Sequence, residues 1–367
     1  MSKSGNDKVK PFRRTTGLFV NLLLILLSLV FAALLAEGLA RAFFNEPIQP
    51  RFFVDSGYGV RGVKANIDTR HYVPGDYDVR VRTNSVGMRG RREYSVEPPP
   101  GVRRVLIVGD SMGFGFGVED DEAVSAVLEK LLNARGDPVR WEVINQSVSG
   151  TGQAEQLVTY HTFGRNYRPN TVVLLYFGND IVNNQVSGLY AAIGDSAVRR
   201  TGASYLPAVR AQEMLYAVPP IRWLFEHSAA WNILRNRLSS LVQRELWTRQ
   251  GMNSANDLQP RVVALTRALI RQFVADVKAD GGNVTIAAIP NVREKMSTNF
   301  PLNSVELSDL DVTFVDGRTF LVPADFFKRD LHLRAVGHAK LAKQLAAAIP
   351  PLKAQFPAAG MTAAGPN

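Results

Sequence analysis

An uninterrupted apolar segment near the N-terminus constrains this chain more than any other feature. Residues 17–36 read GLFVNLLLILLSLVFAALLA, with no charge and only Asn21 and Ser28 polar. Twenty helical residues span about 30 Å, the thickness of the hydrocarbon core of a bilayer. Backbone polar groups at that depth must bond within the segment, so it has to be helical. The segment has no polar face, which a surface helix of a globular protein would need. The sequence therefore predicts a transmembrane anchor at residues 17–37.

Charges beside the anchor predict its orientation. Residues 1–16 form a basic tail in which Asp7 is the single acidic residue, and its cations are Lys3, Lys8, Lys10, Arg13 and Arg14. By the positive-inside rule this tail stays cytoplasmic and the rest of the chain crosses the membrane. A cleaved signal peptide is the alternative, but the apolar stretch is long for one and residues 33–40 offer poor cleavage sites. We expect a single-pass protein of the cell membrane with an extracytoplasmic body.

Composition excludes several other classes of protein. The formal net charge is +10, yet no basic stripe with interleaved aromatic residues and no nucleic-acid motif is present, so nucleic acid is not an expected partner. The chain has no cysteine, which rules out disulfides, thiolate catalysis and zinc bound by cysteine. Hydrophobic residues make up 46% of the chain, enough for a sizeable core without a structural metal.

Residues 45–100 predict a small β-rich linker module. Apolar and charged residues alternate over 77–81, and turn residues follow at Asn84 and Gly87, which is typical of short strands. Three prolines at 98–100 then mark a boundary.

Residues 101–353 predict the main domain, because apolar strand-length runs alternate with helical patterns throughout it. Such alternation indicates βαβ units, hence a mainly parallel sheet covered by helices on both faces. Predicted strands lie at 105–108, 141–144, 171–177 and 284–289, and predicted helices at 122–132, 153–163, 260–280 and 335–348.

A long insertion interrupts this alternation at residues 183–259. It contains two helical stretches rich in Leu, Trp and Arg, at 209–225 (broken at Pro219) and 230–247. No simple crossover needs such a length, so we expect a lid or docking element. It could rest on a membrane surface, bind an envelope protein partner, or simply pack against the domain. Residues 354–367 read as a disordered tail.

Candidate catalytic residues follow the predicted strands, since open parallel sheets bind ligands at the carboxyl ends of their strands. The first strand ends in Gly109-Asp110-Ser111. A serine at a strand-to-helix turn presents its hydroxyl at the sheet edge, and its own N–H can help hold an oxyanion. The same triplet recurs at 194–196, but no apolar strand precedes that copy. We interpret the second copy as a solvated turn.

Further polar residues occur at the ends of later elements. Small residues at 145–152 let the backbone approach a ligand closely, and Asn179 offers an amide after the third strand. Near the C-terminus, Asp330 and His332 flank Leu331, so both polar side chains can project to one side of a loop. The aspartate can then orient the imidazole, which leaves the other ring nitrogen free to take a serine proton.

In order along the chain, these blocks resemble the SGNH/GDSL hydrolase superfamily. The resemblance covers about residues 102–350. Within the family, the chain is most similar to bacterial membrane-anchored members that have a segment like residues 84–90 before the first strand. The matching blocks are GDS at 109–111, N-x-(small)-x-x-G at 145–150, GND at 178–180 and D-x-H at 330–332. The resemblance implies a three-layer α/β/α, flavodoxin-like domain with a sheet of about five strands.

The resemblance also implies a role for each matching residue. Ser111 is the expected nucleophile, His332 its base and Asp330 the partner of the base. The expected oxyanion hole consists of the N–H groups of Ser111 and Ser147 and the side chain of Asn179.

Two departures from the family pattern bear on substrate and site. Position 147 is usually glycine in the family, so Ser147 adds a side chain near the oxyanion hole. The D-x-H spacing is shorter than the common D-x-x-H and is similar to that of polysaccharide O-acetylation proteins. Asp325 is an alternative partner for the histidine. We therefore expect an esterase acting on an O-acylated cell-envelope carbohydrate; the alternatives are an O-acyltransferase, a non-catalytic polysaccharide-binding protein, or a membrane-surface scaffold acting through 183–259.

Neither a cofactor nor a metal is expected. Residues 113–117 read GFGFG, which lacks both G-x-G-x-x-G and the Lys-Ser/Thr of a P-loop, so we interpret this segment as a flexible rim beside the nucleophile. The remaining histidines show no metal-ligand spacing to carboxylates; they are His71, His161, His227 and His338. His338 falls in the last helical pattern and is expected to pack there.

Overall fold

The computed structural model describes residues 12–44, 51–249, 251 and 259–351. Most of the predicted basic tail and the whole predicted disordered tail, residues 354–367, lie outside the described residues. The described strands are β1 Phe53–Asp55, β2 Arg61–Val63, β3 Asp68–Val73, β4 Tyr77–Arg82, β5 Val102–Val108, β6 Arg140–Asn145, β7 Thr171–Phe177, β8 Tyr190–Ile193, β9 Ser196–Arg199, β10 Asn283–Ile289 and β11 Thr313–Asp316. The described helices are α1 Phe12–Phe43, α2 Ser111–Phe114, α3 Val124–Asn133, α4 Gln153–Thr162, α5 Asp180–Ser187, α6 Leu206–Ala217, α7 Pro219–His227, α8 Ala229–Arg249, α9 Pro260–Ala279, α10 Ser304–Asp309 and α11 Ala335–Ala348.

A five-stranded parallel sheet forms the centre of the molecule. Its strands lie in the order β11-β10-β7-β5-β6, and every neighbouring pair is parallel. If these five strands are numbered 1 to 5 in chain order and the sheet is read from β6, the order is 2-1-3-4-5. This is the flavodoxin-like arrangement. The order reverses beside β5, so the crevice at the carboxyl ends of β5 and β7 is the expected binding position.

Helices cover both faces of this sheet. On one face α3 and α11 pack against each other and against the sheet, and their buried residues form one core. On the other face α4 and α9 enclose a second core. The central strands are buried on both sides, which explains why β5 and β7 read as continuous apolar runs rather than alternating ones. The prediction of a three-layer α/β/α domain is confirmed.

The fifth strand, β11, is absent from the sequence prediction. It has four residues at the edge of the sheet, and only Val315 among them is buried. The hairpin β8–β9 inside the insertion was also not predicted. Most of its residues are half-buried or exposed, so neither hairpin strand carries a strong apolar pattern. Short strands with one buried residue give no periodic signal.

The insertion folds mainly as helices α6, α7 and α8, and α7 begins at Pro219 where the break was predicted. Proline suits a first helical position because that N–H has no intrahelical partner.

Helix α1 is long and apolar enough, by length and composition, to cross a membrane. The candidate span is Gly17–Phe43, 27 residues, and none of its most apolar window, of mean hydropathy 2.9, is buried in the protein. The C-terminal end of α1 contacts the insertion. Glu37 accepts hydrogen bonds from the N–H groups of Ala229 (3.0 Å) and Ala230 (3.1 Å) and thereby caps the start of α8.

Candidate active site

Ser111 lies where β5 passes into the short helix α2. Asp110 precedes it, and the Asp110 carboxylate accepts a hydrogen bond from the N–H of Met112 (2.9 Å), which fixes the turn. The backbone around Ser111 is tightly packed. A Cβ atom added at Gly113 would lie 2.3 Å from Oγ of Ser147, so only glycine fits there. The nucleophile candidate is therefore held by packing, with 7% of its surface exposed.

The structure brings Ser111, His332 and Asp330 together although Asp330 follows Ser111 by 219 positions in the chain. The Oγ atom of Ser111 is 2.8 Å from Nε2 of His332, and Nδ1 of His332 is 2.8 Å from Oδ2 of Asp330. Leu331 between the two has a positive φ of 63°, an uncommon conformation for a residue with a branched side chain. This left-handed residue turns the short D-x-H loop so that the carboxylate and the imidazole meet.

This arrangement has the geometry of a serine nucleophile with its general base. Donation from Nδ1–H of His332 to Asp330 leaves the Nε2 lone pair facing the Ser111 hydroxyl. Burial opposes ionisation of Asp330, but hydrogen bonds from His332 and Tyr77 hold the pKa of this carboxyl below its usual value. Asp330 therefore stays charged at neutral pH and can stabilise an imidazolium.

The N-terminal β-module extends this hydrogen-bonded chain. The hydroxyl of Tyr77, at the start of β4, donates to Oδ2 of Asp330 at 2.6 Å. His71, on the paired strand β3, lies with Nε2 at 3.2 Å from the same hydroxyl and is fully buried. Burial lowers the pKa of His71 to about 4, so its ring is neutral at pH 7. Since the single phenol proton goes to Asp330, His71 must donate from Nε2 to Tyr77.

Asp76, in the turn between β3 and β4, holds the backbone of the loop that carries Asp330. Its carboxylate accepts hydrogen bonds from the N–H groups of Lys328 (3.2 Å), Arg329 (2.8 Å) and Asp330 (2.7 Å). Sequence reasoning missed Tyr77 and Asp76 because both act across more than 250 residues of chain. The segment 45–100, interpreted above as a linker module, therefore contributes directly to the site.

Aromatic side chains wall the site beside His332. The Phe116 ring lies 5.2 Å from the His332 ring and stacks on Phe53 of β1 at 6.3 Å. Phe114 and Phe116 are buried against Phe52 in a small core between the module and the domain. The interpretation of residues 113–117 as a flexible rim is therefore wrong, because its two phenylalanines anchor this segment in the core.

The three predicted oxyanion donors differ in whether their N–H groups are free to bind a ligand. The N–H of Ser111 opens α2 and has no partner within the helix. Asn179 is exposed at the end of β7, beside the Asp110 carboxyl, to which it hydrogen-bonds. The prediction that the N–H of Ser147 is an oxyanion donor needs correction. This N–H already donates to Oδ1 of Asn145 at 3.1 Å, and the Ser147 side chain is buried under the Ser111 loop. Ser147 thus supports the loop and does not face the site.

Two buried carboxyl groups lie behind the nucleophile. Burial raises the pKa of Asp110, and burial together with the Asp110 charge raises the pKa of Asp180 well above its usual value. Asp180 accepts a hydrogen bond from Nε2 of Gln153 at 2.6 Å, while its other oxygen is buried without a partner.

The remaining candidates lie apart from this site. Residues 194–195 form the exposed turn of the β8–β9 hairpin, so the second GDS triplet is a surface turn. Asp325 bonds to Nζ of Lys340 (2.8 Å) and the N–H of Val322 (2.9 Å), not to His332. His338 is buried in α11 and accepts from the N–H of Val124 at 3.3 Å. Across the residues that the structure describes, no cluster of three His, Asp or Glu side chains could hold a metal ion.

No family model matches this chain, and a search of curated proteins finds no match. Solved structures that match it include a lipolytic protein of the G-D-S-L family from Desulfitobacterium hafniense (12% identity, TM-score 0.38). Others are an acetylxylan esterase from Geobacillus stearothermophilus (14%, 0.40) and a lipase/acylhydrolase from Enterococcus faecalis (13%, 0.38). The matches cover 67%, 67% and 69% of this chain and 99%, 93% and 100% of their own. At such identities and TM-scores they say nothing of substrate or mechanism, so a functional assignment has to rest on the site geometry of this chain.

Proposed function

We propose that this chain is a membrane-anchored serine esterase of the SGNH/GDSL type. One observation carries the proposal: Ser111, His332 and Asp330 form a continuous hydrogen-bonded chain with both links at 2.8 Å. That distance lies within the range that a general base needs to take a proton. A protein that only binds a ligand has no evident use for this arrangement, which disfavours the non-catalytic alternative.

The geometry supports a two-step mechanism. Oγ of Ser111 attacks the ester carbonyl carbon as its proton passes to Nε2 of His332, which forms a tetrahedral oxyanion and an imidazolium facing Asp330. The C–O bond of the ester then breaks, and the imidazolium returns the proton to the departing alkoxide, which leaves as an alcohol. Water, deprotonated by His332, attacks the acyl-serine. The second tetrahedral species then breaks its bond to Oγ and releases the carboxylic acid, while the imidazolium of His332 returns its proton to Oγ of Ser111.

Three groups are proposed to hold the oxyanion. They are the N–H of Ser111, the side chain of Asn179, and, in place of Ser147, the N–H of Gly150. Gly150 is half-exposed on the loop after β6 and has a positive φ of 71°. This positive φ favours glycine, and an added Cβ would meet the end of the Arg61 side chain at 2.6 Å.

The proposed substrate is an O-acylated carbohydrate of the cell envelope. Two sequence features support it: the apolar helix α1, which would place the domain outside the membrane by its basic N-terminal tail, and the D-x-H spacing. Transfer of the acyl group to a sugar hydroxyl uses the same triad and stays the alternative. Measuring acetyl transfer to an oligosaccharide against release of free acetate separates the two.

Substitution of the nucleophile tests the proposal. Ser111→Ala is expected to reduce hydrolysis of p-nitrophenyl acetate by several orders of magnitude, as triad substitutions do. Ser196→Ala is the matched control, because it removes the same residue from the second GDS triplet on the surface hairpin. A fluorophosphonate probe should label the wild type at Ser111. Equal hydrolysis by wild type and Ser111→Ala, or no labelling of Ser111, would overturn the esterase assignment.

A further inference from the structure

A groove of about 450 Å³ lies among the helices of the insertion, outside the triad. Its walls are mostly apolar and come chiefly from α6 and α8, with Phe225 of α7 and Phe53 of the module closing its inner side. Leu215, Leu238 and Val242 line it and are 44%, 54% and 49% exposed. A groove of this size and character matches a small amphiphilic ligand, and so much exposed apolar surface is costly in water.

Three arginines line the groove and make it positively charged. Arg51, Arg61 and Arg235 line it, whereas no carboxylate does among the described lining residues. Burial and the charges of Arg61 and Arg235 lower the pKa of Arg51 to about 10, against an opposing attraction from Glu213. Nε of Arg51 is buried without a hydrogen-bond partner. An anionic group at this position would stabilise the charged form of Arg51 and accept a hydrogen bond from its Nε.

One wall of the groove is hydrogen-bonded to the end of helix α1. Its wall helix α8 begins at Ala229, where Glu37 of α1 accepts the N–H groups of the first turn. The side chain of Arg41 also donates to the carbonyl of His227, just before that turn, at 2.6 Å. Trp231, two residues into α8, already lines the groove. The groove therefore lies beside the segment that would emerge from a bilayer if α1 is the anchor.

Two lining residues of the groove contact parts of the chain that lie beside the triad. Arg61, which lines it, donates to the carbonyl of Ser149 at 3.2 Å, on the loop that carries Gly150. Phe53, also in the lining, stacks on Phe116, whose ring contacts the His332 ring. One aromatic pair thus separates the apolar groove from the catalytic histidine.

We propose that this groove binds a single anionic membrane lipid, with an acyl chain along α8 and its acidic headgroup at Arg51 and Arg61. The inference rests on the proposed membrane anchorage by α1, but not on the esterase chemistry. It assigns the insertion a ligand: a lipid bound beside the active site, where it would seal the apolar surface and fix the helices next to the loop of Gly150.

The test uses the full chain embedded in bilayers of equal parts phosphatidylglycerol and phosphatidylcholine and then extracted in a mild detergent. Native mass spectrometry counts the lipids retained on each protein. We expect one phosphatidylglycerol per chain, and at least tenfold less in Leu238→Glu. Leu241→Glu is the matched control, since Leu241 is 60% exposed on the same helix and does not line the groove. Arg51→Gln should retain the two lipids equally, whereas Arg237→Gln, outside the groove, should keep the preference.

The following results would contradict the proposed lipid site or separate it from the esterase proposal. Equal retention of both lipids by the wild type, or equal losses in Leu238→Glu and Leu241→Glu, would refute a built lipid site. Lipid retention unchanged in Leu238→Glu while a dimer becomes a monomer would show that a second copy covers the groove instead. Retention of lipid by Ser111→Ala keeps this result separate from the esterase question, because that variant changes hydrolysis and leaves the groove untouched.

Discussion

Tyr77→Phe removes one hydroxyl and tests whether the N-terminal module takes part in catalysis. That hydroxyl donates to Asp330 at 2.6 Å, and the Asp330 side chain is only 16% exposed, so water cannot readily replace the bond. A hydrogen bond to a charged group contributes about 1.5–3 kcal/mol. The bond matters most when an imidazolium faces Asp330 in the transition state. At 1.36 kcal/mol per factor of ten, kcat should fall about 10- to 100-fold.

The assay is steady-state hydrolysis of p-nitrophenyl acetate, with kcat and KM measured separately. KM should change little, because the phenol hydroxyl bonds to Asp330 and His71 rather than facing the Ser111 hydroxyl. Tyr72→Phe, on the neighbouring strand β3, is the control and should behave as the wild type. Thermal unfolding of each variant separates a catalytic defect from loss of fold.

A double-mutant cycle with Asp330→Asn distinguishes positioning from a general structural effect. If Tyr77 acts through Asp330, Tyr77→Phe should cost almost nothing further in the Asp330→Asn background. The reasoning fails if the two losses multiply in the double variant. It also fails if Tyr77→Phe alone keeps the wild-type kcat.

Two further predictions concern the catalytic loop and the buried acid of α4. Asp76→Ala removes three hydrogen bonds to the loop that holds Leu331 at positive φ, so kcat and the rate of fluorophosphonate labelling should both fall about tenfold or more. Asp78→Ala, exposed on the same hairpin, should change neither. Burial raises the pKa of Glu155 to about 7, and the folded state therefore holds more protons than the unfolded state between about pH 4.5 and 7. Stability should accordingly fall as the pH rises through that window, by on the order of 1–3 kcal/mol. Glu155→Gln keeps a capping side chain for the N–H of Gly152 and should flatten this dependence in urea titrations at pH 5 and pH 8; an unchanged slope would contradict the assignment.

The sequence predicted the parts of this fold that carry a strong local signal. Strand β7 and helix α11 were predicted with the bounds that the structure has, because a buried parallel strand and an amphipathic helix each repeat an apolar pattern over many residues. The residues Ser111, Asp330 and His332 could be found because each directly follows or precedes such an element. Because the carboxyl ends of parallel strands lie at one edge of the sheet, these residues were expected to lie together at that edge.

Other features have no local signature in the sequence. Tyr77 and Asp76 look like an ordinary strand residue and an ordinary turn residue, and only the docking of the β3–β4 hairpin shows their contacts with residues 328–330. The misassigned oxyanion donor has a similar cause. Whether the N–H of Ser147 is available depends on the rotamer of Asn145, which spacing cannot reveal. Edge strand β11 was missed because packing, not sequence pattern, decides short strands.

The capping of α8 by Glu37 limits how far the catalytic centre can travel. Only six residues, 45–50, lie between the described end of α1 and Arg51, the next described residue, and the cap ties the insertion to the same helix. With α1 in a bilayer, the hydroxyl of Ser111 would sit at a nearly constant height above the lipid headgroups. The proposed esterase would then reach only substrates that are presented close to the membrane surface.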